Sequence, residues 1–452
     1  MKIGESSLDF GSLPFIIWFM PVFLCIYYAM RTEQAKKIVL VVGTLLFYSI
    51  SCFAWLPHLL GLTFFALLAF GWVRRKGKVA LWISCLAFVG FLIWNKTSDT
   101  LMPGISFIVF TIVSFLIDTY QKKVGKVGFW DCVSYILCFP KLISGPIARM
   151  EQMQNKKIYL MGERQVKIGS QIESGVACFI IGLGYKVLIS NQLAGLWHEI
   201  QTIGFVSVST PLAWMGIFGY SLQLYFDFQG YSLMAIGIGK MLGYTFPDNF
   251  DSPYLSKSIS EFYRRWHITL GRWFRDYVYI PLGGSRKGTL FTICNLFVVW
   301  LLTGLWHGFG WNFVLWGMFL FFWIALEKLF LKKILDYIPF LGHIYILILI
   351  PLSWVFFALP DMADIQMCFL RLFAPLVHHE GIRVAAGDYL KYGSMYGPFL
   401  LAGIFFAFPF GEQWLKRNYR RPICVLLLLI IFWFSVYQIS IGLNNPFMYF
   451  SF

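Results

Sequence analysis

A dozen apolar runs, most of them parted by polar or basic stretches, decide what this chain can fold into. A helix needs about 17–25 mostly apolar residues to cross roughly 30 Å of hydrocarbon. Runs of that kind are Leu13–Met30, Ile38–Trp55, Leu56–Val73, Val79–Trp94, Leu101–Tyr120 and Ser174–Ser190. Pro211–Tyr244, Leu290–Trp306, Trp311–Phe330, Ile344–Leu359, Tyr396–Phe410 and Ile423–Ser440 complete the set. Only 13% of the 452 residues are charged, against about 25% in a soluble domain, so lipid must cover much of the surface. Forty glycines and eighteen prolines lie scattered through apolar sequence, a habit of membrane helices, whose neighbours satisfy freed backbone groups. The expected fold is therefore all-α: a polytopic transmembrane bundle of about 11–12 spans, with re-entrant and interfacial helices.

The first run follows Glu5 and Asp9 rather than a basic stretch, so it reads as a retained helix and not a signal peptide. Pro211–Tyr244 is too long for one straight span, and Gly219, Gly230, Gly237, Gly239 and Gly243 suggest a broken helix there. Cys132–Ile143 is shorter and interrupted by Pro140, with Pro146 just beyond; it reads as re-entrant or interfacial. No internal repeat or disordered linker divides the chain, and residues 1–452 read as one membrane domain.

The net charge of +15 is not that of a nucleic-acid binder, because the basic residues cluster in loops between apolar runs, as expected beside anionic lipid. Arg31, Lys36 and Lys37, then Arg74, Arg75, Lys76 and Lys78, then Lys122, Lys123 and Lys126 occupy alternate loops. That alternation puts these loops in the cytoplasm and the N-terminus outside, in a cell-membrane protein. The nine cysteines lie mostly in apolar stretches with no Cys-x-x-Cys pair, which indicates neither a disulfide framework nor a zinc site. His378-His379-Glu380 reads as a solvated external loop rather than a metal site.

Three segments carry chemistry. In Glu261–Asp276 and the residue after it, Phe262, Trp266, Leu270, Trp273 and Tyr277 recur at helical spacing, with Arg264, Arg265, Arg272 and Arg275 off that stripe. This predicts one amphipathic helix on the cytoplasmic face, arginines among headgroups and aromatics in the acyl region. The guanidiniums of Arg264, Arg265 and Arg272 would also suit a phosphate-rich donor such as coenzyme A. His267 lies beside the stripe and by itself reads as structural. In Leu302–Trp311, His307 stands between two long apolar runs and is followed by Gly308 and Gly310. An ionisable group in such a place is a functional-site hypothesis by default, and a buried neutral imidazole can accept a proton. In Phe139–Arg149, two prolines, a glycine and Lys141 at membrane depth predict a cavity-lining turn. Asp227, an intramembrane carboxylate, reads equally as a helix-pairing or a site residue. Phosphate-binding loops, dinucleotide fingerprints and serine elbows are absent from the sequence.

Taken together, Asp227-Phe-Gln-Gly-Tyr-Ser, Pro247-Asp-Asn-Phe-Asp-Ser-Pro-Tyr254, Glu261-Phe-Tyr-Arg-Arg-Trp-His267, Trp273-Phe-Arg-Asp-Tyr-Val-Tyr-Ile-Pro-Leu-Gly-Gly284 and Leu305-Trp-His-Gly308 resemble the membrane-bound O-acyltransferase family, in its alginate O-acetyltransferase-like branch. The motif core is about 139–316, and Phe139–Arg149 and Asn445–Phe452 resemble that branch too. The resemblance implies a catalytic His307, a second functional role for His267, and a central funnel or tunnel. It also implies acetyl-CoA or another acyl thioester as donor substrate, with no bound cofactor. A secreted or anchored extracytoplasmic acyltransferase- or esterase-like partner would complete transfer to a polysaccharide. Gln229, Tyr263 and Gly271 depart from the family's usual residues, beside the motifs rather than at the histidines. The D-alanyl transfer proteins for teichoic acid share Asp-Phe-x-Gly-Tyr-Ser and Arg-Trp-His, and Ile280–Gly284 favours the acetyl branch instead. A transporter or flippase is the competing class, since intramembrane His and Asp with a broken helix suit it as well.

Overall fold

The computed structural model describes residues 8–98, 100–154, 161–374 and 387–442, leaving aside the side chains of residues 154 and 161–167. The His378-His379-Glu380 triplet and the motif over 445–452 lie outside the described residues. All regular structure among the described residues is helical. In chain order the helices begin with α1 (Met20–Ala29), α2 (Glu33–Cys52), α3 (Leu56–Lys76), α4 (Lys78–Lys96), α5 (Ile105–Tyr120), α6 (Phe129–Ile136) and α7 (Phe139–Leu142). Next come α8 (Met150–Gln154), α9 (Met161–Gly184), α10 (Asn191–Ile203), α11 (Thr210–Met241), α12 (Ile259–Arg265), α13 (Ile268–Phe274) and α14 (Thr289–His307). The last are α15 (Trp311–Leu326), α16 (Lys332–Tyr337), α17 (Pro339–Ala358), α18 (Met362–Leu372), α19 (Asp388–Ala407), α20 (Pro409–Asn418) and α21 (Pro422–Ser440).

Seven helical runs are long and apolar enough to cross a bilayer, or eight if α19 and α20, bent by 69°, count as one. That is fewer than the dozen apolar runs of the sequence, for identifiable reasons. Two expected spans join in the single helical run Glu33–Lys76 of 44 residues. Its length of about 66 Å, at 1.5 Å per residue, is twice the hydrocarbon thickness, and the backbone departs from helix at Cys52 (φ −150°). The runs at Leu13 and Leu101 yield the shorter apolar helices Phe15–Ala29 and Ile105–Tyr120. The run at Pro211 yields α11, which is not among the spans because it carries Ser221, Gln223, Asp227, Gln229 and Ser232, all buried.

The described residues form two compact units, one from those within 8–183, 230–248 and 419–442, the other from those within 184–229 and 249–418. In the first, α9 and the end of α11 approach through glycine. A Cβ on Gly237 would lie 2.6 Å from the Gly175 carbonyl oxygen, and one on Gly182 would lie 2.5 Å from that of Gly230. The glycines of α11 thus serve close packing and do not break it. The helix runs unbroken over 32 residues, contrary to the broken helix expected, and the chain turns only at Gly243 (φ +81°). Phe139–Arg149 contains the four-residue α7 and a tight return, where a Cβ on Gly145 would lie 2.3 Å from the Pro140 carbonyl oxygen.

In the second unit, α14 and α15 form a hairpin around the turn Gly308–Gly310. Small residues let their backbones close on each other: a Cβ on Gly304 would lie 2.6 Å from the Phe313 carbonyl oxygen, and one on Gly317 would lie 2.6 Å from that of Trp300. This is the small-residue contact by which membrane helices pack without a hydrophobic driving force. Asn312, at the start of α15, donates to the Phe356 carbonyl of α17 at 3.2 Å.

Candidate active site

The arginine segment is not one helix. α12 ends at Arg265, Trp266 is extended (φ −102°, ψ 128°), and His267 takes a left-handed conformation (φ 43°, ψ 54°) before α13 starts. A non-glycine residue there costs free energy and persists only where the surroundings hold it. Here the loop at Asn249–Asp251 holds both sides of the break. The Ile268 amide donates to the Asn249 carbonyl at 2.9 Å, and the Asp251 amide donates to the Arg265 carbonyl at 3.0 Å. The Asn249 side chain adds to this: its Oδ1 accepts the Thr269 hydroxyl at 2.6 Å and lies 3.4 Å from His267 Nδ1. His267 is buried, with its ring edge-on to Phe228 at 4.5 Å between centroids. Burial pushes its pKa down to about 3, so the imidazole is neutral at physiological pH.

α12 begins as firmly as it ends. Ser258, the N-cap, accepts the Glu261 amide at 3.1 Å, and the Glu261 side chain reaches back to accept the Lys257 amide, one residue before the cap, at 3.0 Å. The next two exposed donors are met from a different helix run. Buried Glu327, just beyond α15, accepts the Ile259 amide at 2.5 Å and the Ser260 amide at 3.0 Å, and also the Tyr345 hydroxyl of α17 at 3.1 Å. A carboxylate on a helix N-terminus meets both its free N–H groups and its dipole.

The aromatic stripe of this segment packs on protein, not on acyl chains as the amphipathic pattern suggested. Phe262, Trp266, Leu270 and Trp273 are buried. Tyr263 stands 4.7 Å from the Trp300 ring of α14, and Trp266 stands 5.2 Å from the Trp354 ring of α17. Off the stripe, Arg264 and Arg272 are exposed, while Arg265 pairs with Glu261 at 2.8 Å. Asp276 pairs with its neighbour Arg275 at 2.7 Å. The Ile280–Gly284 motif closes a turn in which Gly283 and Gly284 have φ of +109° and +59°, conformations natural only to glycine. Asn295 of α14 pins that turn by donating to the Gly284 carbonyl at 2.8 Å.

His307 is the last residue of α14 and is 7% exposed. Trp306, Trp316 and Phe357 surround its ring at centroid distances of 4.4, 5.1 and 4.9 Å, with Phe313 stacked at 6.2 Å. Trp354 stands 6.0 Å from Trp316 and 5.6 Å from Phe357. Ring contacts therefore link the two histidines, from His267 through Phe228, Phe250 (5.2 Å from Phe228 and 5.0 Å from Trp266) and Trp266 to Trp354, and on to Trp316 and Phe357 beside His307. Sequence reasoning picked out both histidines but missed Trp354, Trp316, Asn249 and Glu327. Asn249 lay within a quoted motif, and Glu327 is a carboxylate in an apolar run, the same signal that singled out His307.

Two further sequence candidates have partners of their own. Asp227 of α11 forms a buried ion pair with Lys186, the partner that a helix-pairing role requires. Lys141 belongs to the other unit, buried, its ammonium 3.9 Å from the centroid of the Tyr135 ring, a cation–π contact.

A helical membrane protein with buried histidines at two helix breaks, one of them at a span's end, defines the class. Residues 19–359 match the model of MBOAT, the membrane-bound O-acyltransferase family, and the chain belongs to that family. It is 35% identical over 338 residues to a probable alginate O-acetylase AlgI of Pseudomonas fluorescens, covering 71% of this chain and 66% of that protein. The match thus spans just under two thirds of that relative's length. A peptidoglycan O-acetyltransferase of Helicobacter pylori is 33% identical over 371 residues, covering 69% of this chain and 68% of that protein. A teichoic acid D-alanyltransferase of Lacticaseibacillus rhamnosus is 28% identical over 360 residues, covering 72% and 87%.

Proposed function

We propose that this chain is a membrane O-acyltransferase that takes an acetyl group from a cytoplasmic thioester, acetyl-CoA or a similar donor, to a hydroxyl of an extracytoplasmic polysaccharide or partner protein. The observation that carries the reading is His307, an imidazole enclosed by rings at the end of a span, joined by that series of ring contacts to His267 at a strained break. His307 acts as general base: it takes the proton of the acceptor hydroxyl while the oxygen attacks the thioester carbonyl. Collapse of the tetrahedral intermediate breaks the C–S bond, and the departing thiolate recovers the proton from the imidazolium. A base so placed contributes about 10²–10⁴ in rate, and exclusion of water by the surrounding rings protects the thioester from hydrolysis.

His267 orients donor or acceptor at the other end of the series. Exposed Arg264 and Arg272, with Arg265, bind the donor's phosphates, and Lys141 and Asp227 are supporting candidates for donor or substrate binding. In this reading the chain works as one domain in the cell membrane, its N-terminus outside. About 11–12 crossings, some of them short, surround a funnel, and an extracytoplasmic partner receives the acyl group. The reading rests on family membership and on the burial of the two histidines.

The test is transfer of labelled acetyl from acetyl-CoA to acceptor in membranes containing the wild type or His307→Ala at equal inserted amounts. A loss of at least about 10²-fold is expected. Near-normal transfer by the variant would show that His307 is not the base. Passage of an acceptor across the membrane with no label on it would favour a transporter instead.

A further inference from the structure

The hairpin of α3 and α4 carries a groove that the acyl-transfer reading does not use. Its volume is about 680 Å³ and it opens outward. Along α3 its wall is Pro57, Gly61, Phe65, Leu68 and Trp72, spaced by three or four residues and so on one helix face. From Pro57 to Trp72 the stripe is about 22 Å long at 1.5 Å per residue, more than the roughly 15 Å of one leaflet's hydrocarbon. Opposite it, α4 contributes Ile83, Ala87 and Phe91. Both helices belong to runs apolar enough to cross a membrane, and Phe65, Leu68 and Trp72 are exposed. Continued by one turn, the α3 face arrives at Arg75 and Lys76, both exposed, in the last turn of the helix. Arg74 lies off this face, its guanidinium 5.5 Å from the Phe70 ring.

An apolar channel about as long as an acyl chain, ending in two cations on one face, has the outline of a single molecule: a chain with an anionic head. We propose that this groove is a binding site for an anionic phospholipid, one acyl chain lying along α3 between Pro57 and Trp72 and its phosphate held by Arg75 and Lys76. Apolar surface in a bilayer gains little from acyl contact alone, since every lipid offers it. Headgroup charge is therefore what makes the site selective, and juxtamembrane basic residues attract anionic lipid in this way.

The experiment is native mass spectrometry of the full chain, purified and titrated with phosphatidylglycerol or phosphatidylcholine. Wild type is expected to retain one phosphatidylglycerol well after phosphatidylcholine has dissociated. Arg75→Gln/Lys76→Gln should weaken that retention roughly thirtyfold, the effect of two headgroup cations, and Arg74→Gln should leave it near wild type. Gly61→Phe/Ala87→Phe should lose the retained lipid of either headgroup; a Cβ at Gly61 meets no atom within 4 Å and Ala87 is exposed, so the rings enter the groove rather than the core. Equal retention of the two lipids by wild type would overturn the proposal. So would retention unchanged in the Arg75/Lys76 variant, or in the groove-filled variant, because the lipid would then lie elsewhere.

Discussion

Glu327→Ala should unfasten the segment that carries His267. The carboxylate is 2% exposed and accepts three hydrogen bonds, from the Ile259 and Ser260 amides and from the Tyr345 hydroxyl. Hydrogen bonds to a charged group are worth about 1.5–3 kcal/mol each, but they are not additive, and the variant also removes a desolvated charge. The first turn of α12 would moreover lose its dipole partner, typically 0.3–2 kcal/mol. A net destabilisation of about 3–5 kcal/mol is expected, the range for breaking a buried charged contact from one side. Tyr345→Phe removes one donor and should cost about 1 kcal/mol. Glu327→Gln keeps an acceptor but turns an amide N–H₂ toward a backbone donor, so it should fall between them. Thermal unfolding in detergent micelles, read by loss of monodisperse protein, should rank the variants Ala, Gln, Phe from least to most stable. For a chain of this length the Ala variant should shift by roughly 3–5 °C. Acyl transfer measured below that midpoint should fall as well, because Tyr263, Trp266 and His267 all follow from where α12 starts. A Glu327→Ala protein with unchanged midpoint and transfer would refute the account of α12 as a helix fastened through its N-terminus.

Three other consequences follow. Gly304→Leu should cost about 1–3 kcal/mol or more, since its Cβ would meet the Phe313 carbonyl oxygen at 2.6 Å; opening of the α14–α15 hairpin should appear as new labelling of a cysteine introduced at Gly308. Asn249→Ala should lower the rate of transfer about tenfold with little change in donor KM, and Thr269→Val, which removes the hydroxyl bonded to Asn249 Oδ1, should do part of the same; equal loss from a Thr269→Ser control would count against a positioning role. His267 gives a pH dependence of stability whose sign is fixed. Its folded pKa, about 3, lies below the unfolded value of about 6.5, so the unfolded state takes up a proton first. Stability is full above about pH 6.5 and falls as pH drops toward 3. Relative to His267→Gln, wild type should therefore lose about 3 kcal/mol between pH 7 and pH 4, and parallel pH curves for the two proteins would contradict the burial.

The apolar runs, the all-helical class and the burial of His307 were legible from the residues, because hydropathy and intramembrane ionisable groups are local signals; His267 by itself read as structural, and only the family resemblance gave it a role. The break at Trp266–His267 was not. Glu261–Asp276 contains no proline, and its single glycine, Gly271, is not at the break, while the aromatic stripe keeps helical spacing across it. What stops the helix is the bonding of Asn249–Asp251 to its two sides, a tertiary cause with no trace in the segment itself. The opposite error occurred in α11, where five glycines suggested a break. Two of them, Gly230 and Gly237, admit the backbone of α9 at Gly182 and Gly175, and the helix ladder stays whole over Thr210–Met241. Trp354 was hidden for a third reason: a tryptophan in an apolar run looks the same whether it faces lipid or protein.

Both histidines stand where a helix stops, and the means of stopping differ in a way that bears on the tasks proposed for them. At His307 the chain leaves α14 through Gly308 and Gly310, next to close helix contacts made by Gly304 and Gly317. That end is set by van der Waals packing, and the rings of Trp306, Trp316 and Phe357 stand around the imidazole. At His267 the helix is stopped by hydrogen bonds to a polar loop, and the αL backbone aims the ring toward Phe228 with Asn249 at its Nδ1 side. A base in the chemical step gains from surroundings that expel water. A residue that orients a substrate gains from a fixed tautomer and a fixed direction, which hydrogen bonding supplies. The same physical difference gives the two substitutions different signatures. Loss of His307 should be felt in the chemical step whatever the donor, whereas loss of His267 should vary with the size of the acyl group offered. An identical drop for acetyl and longer acyl thioesters in both variants would argue against this division of labour.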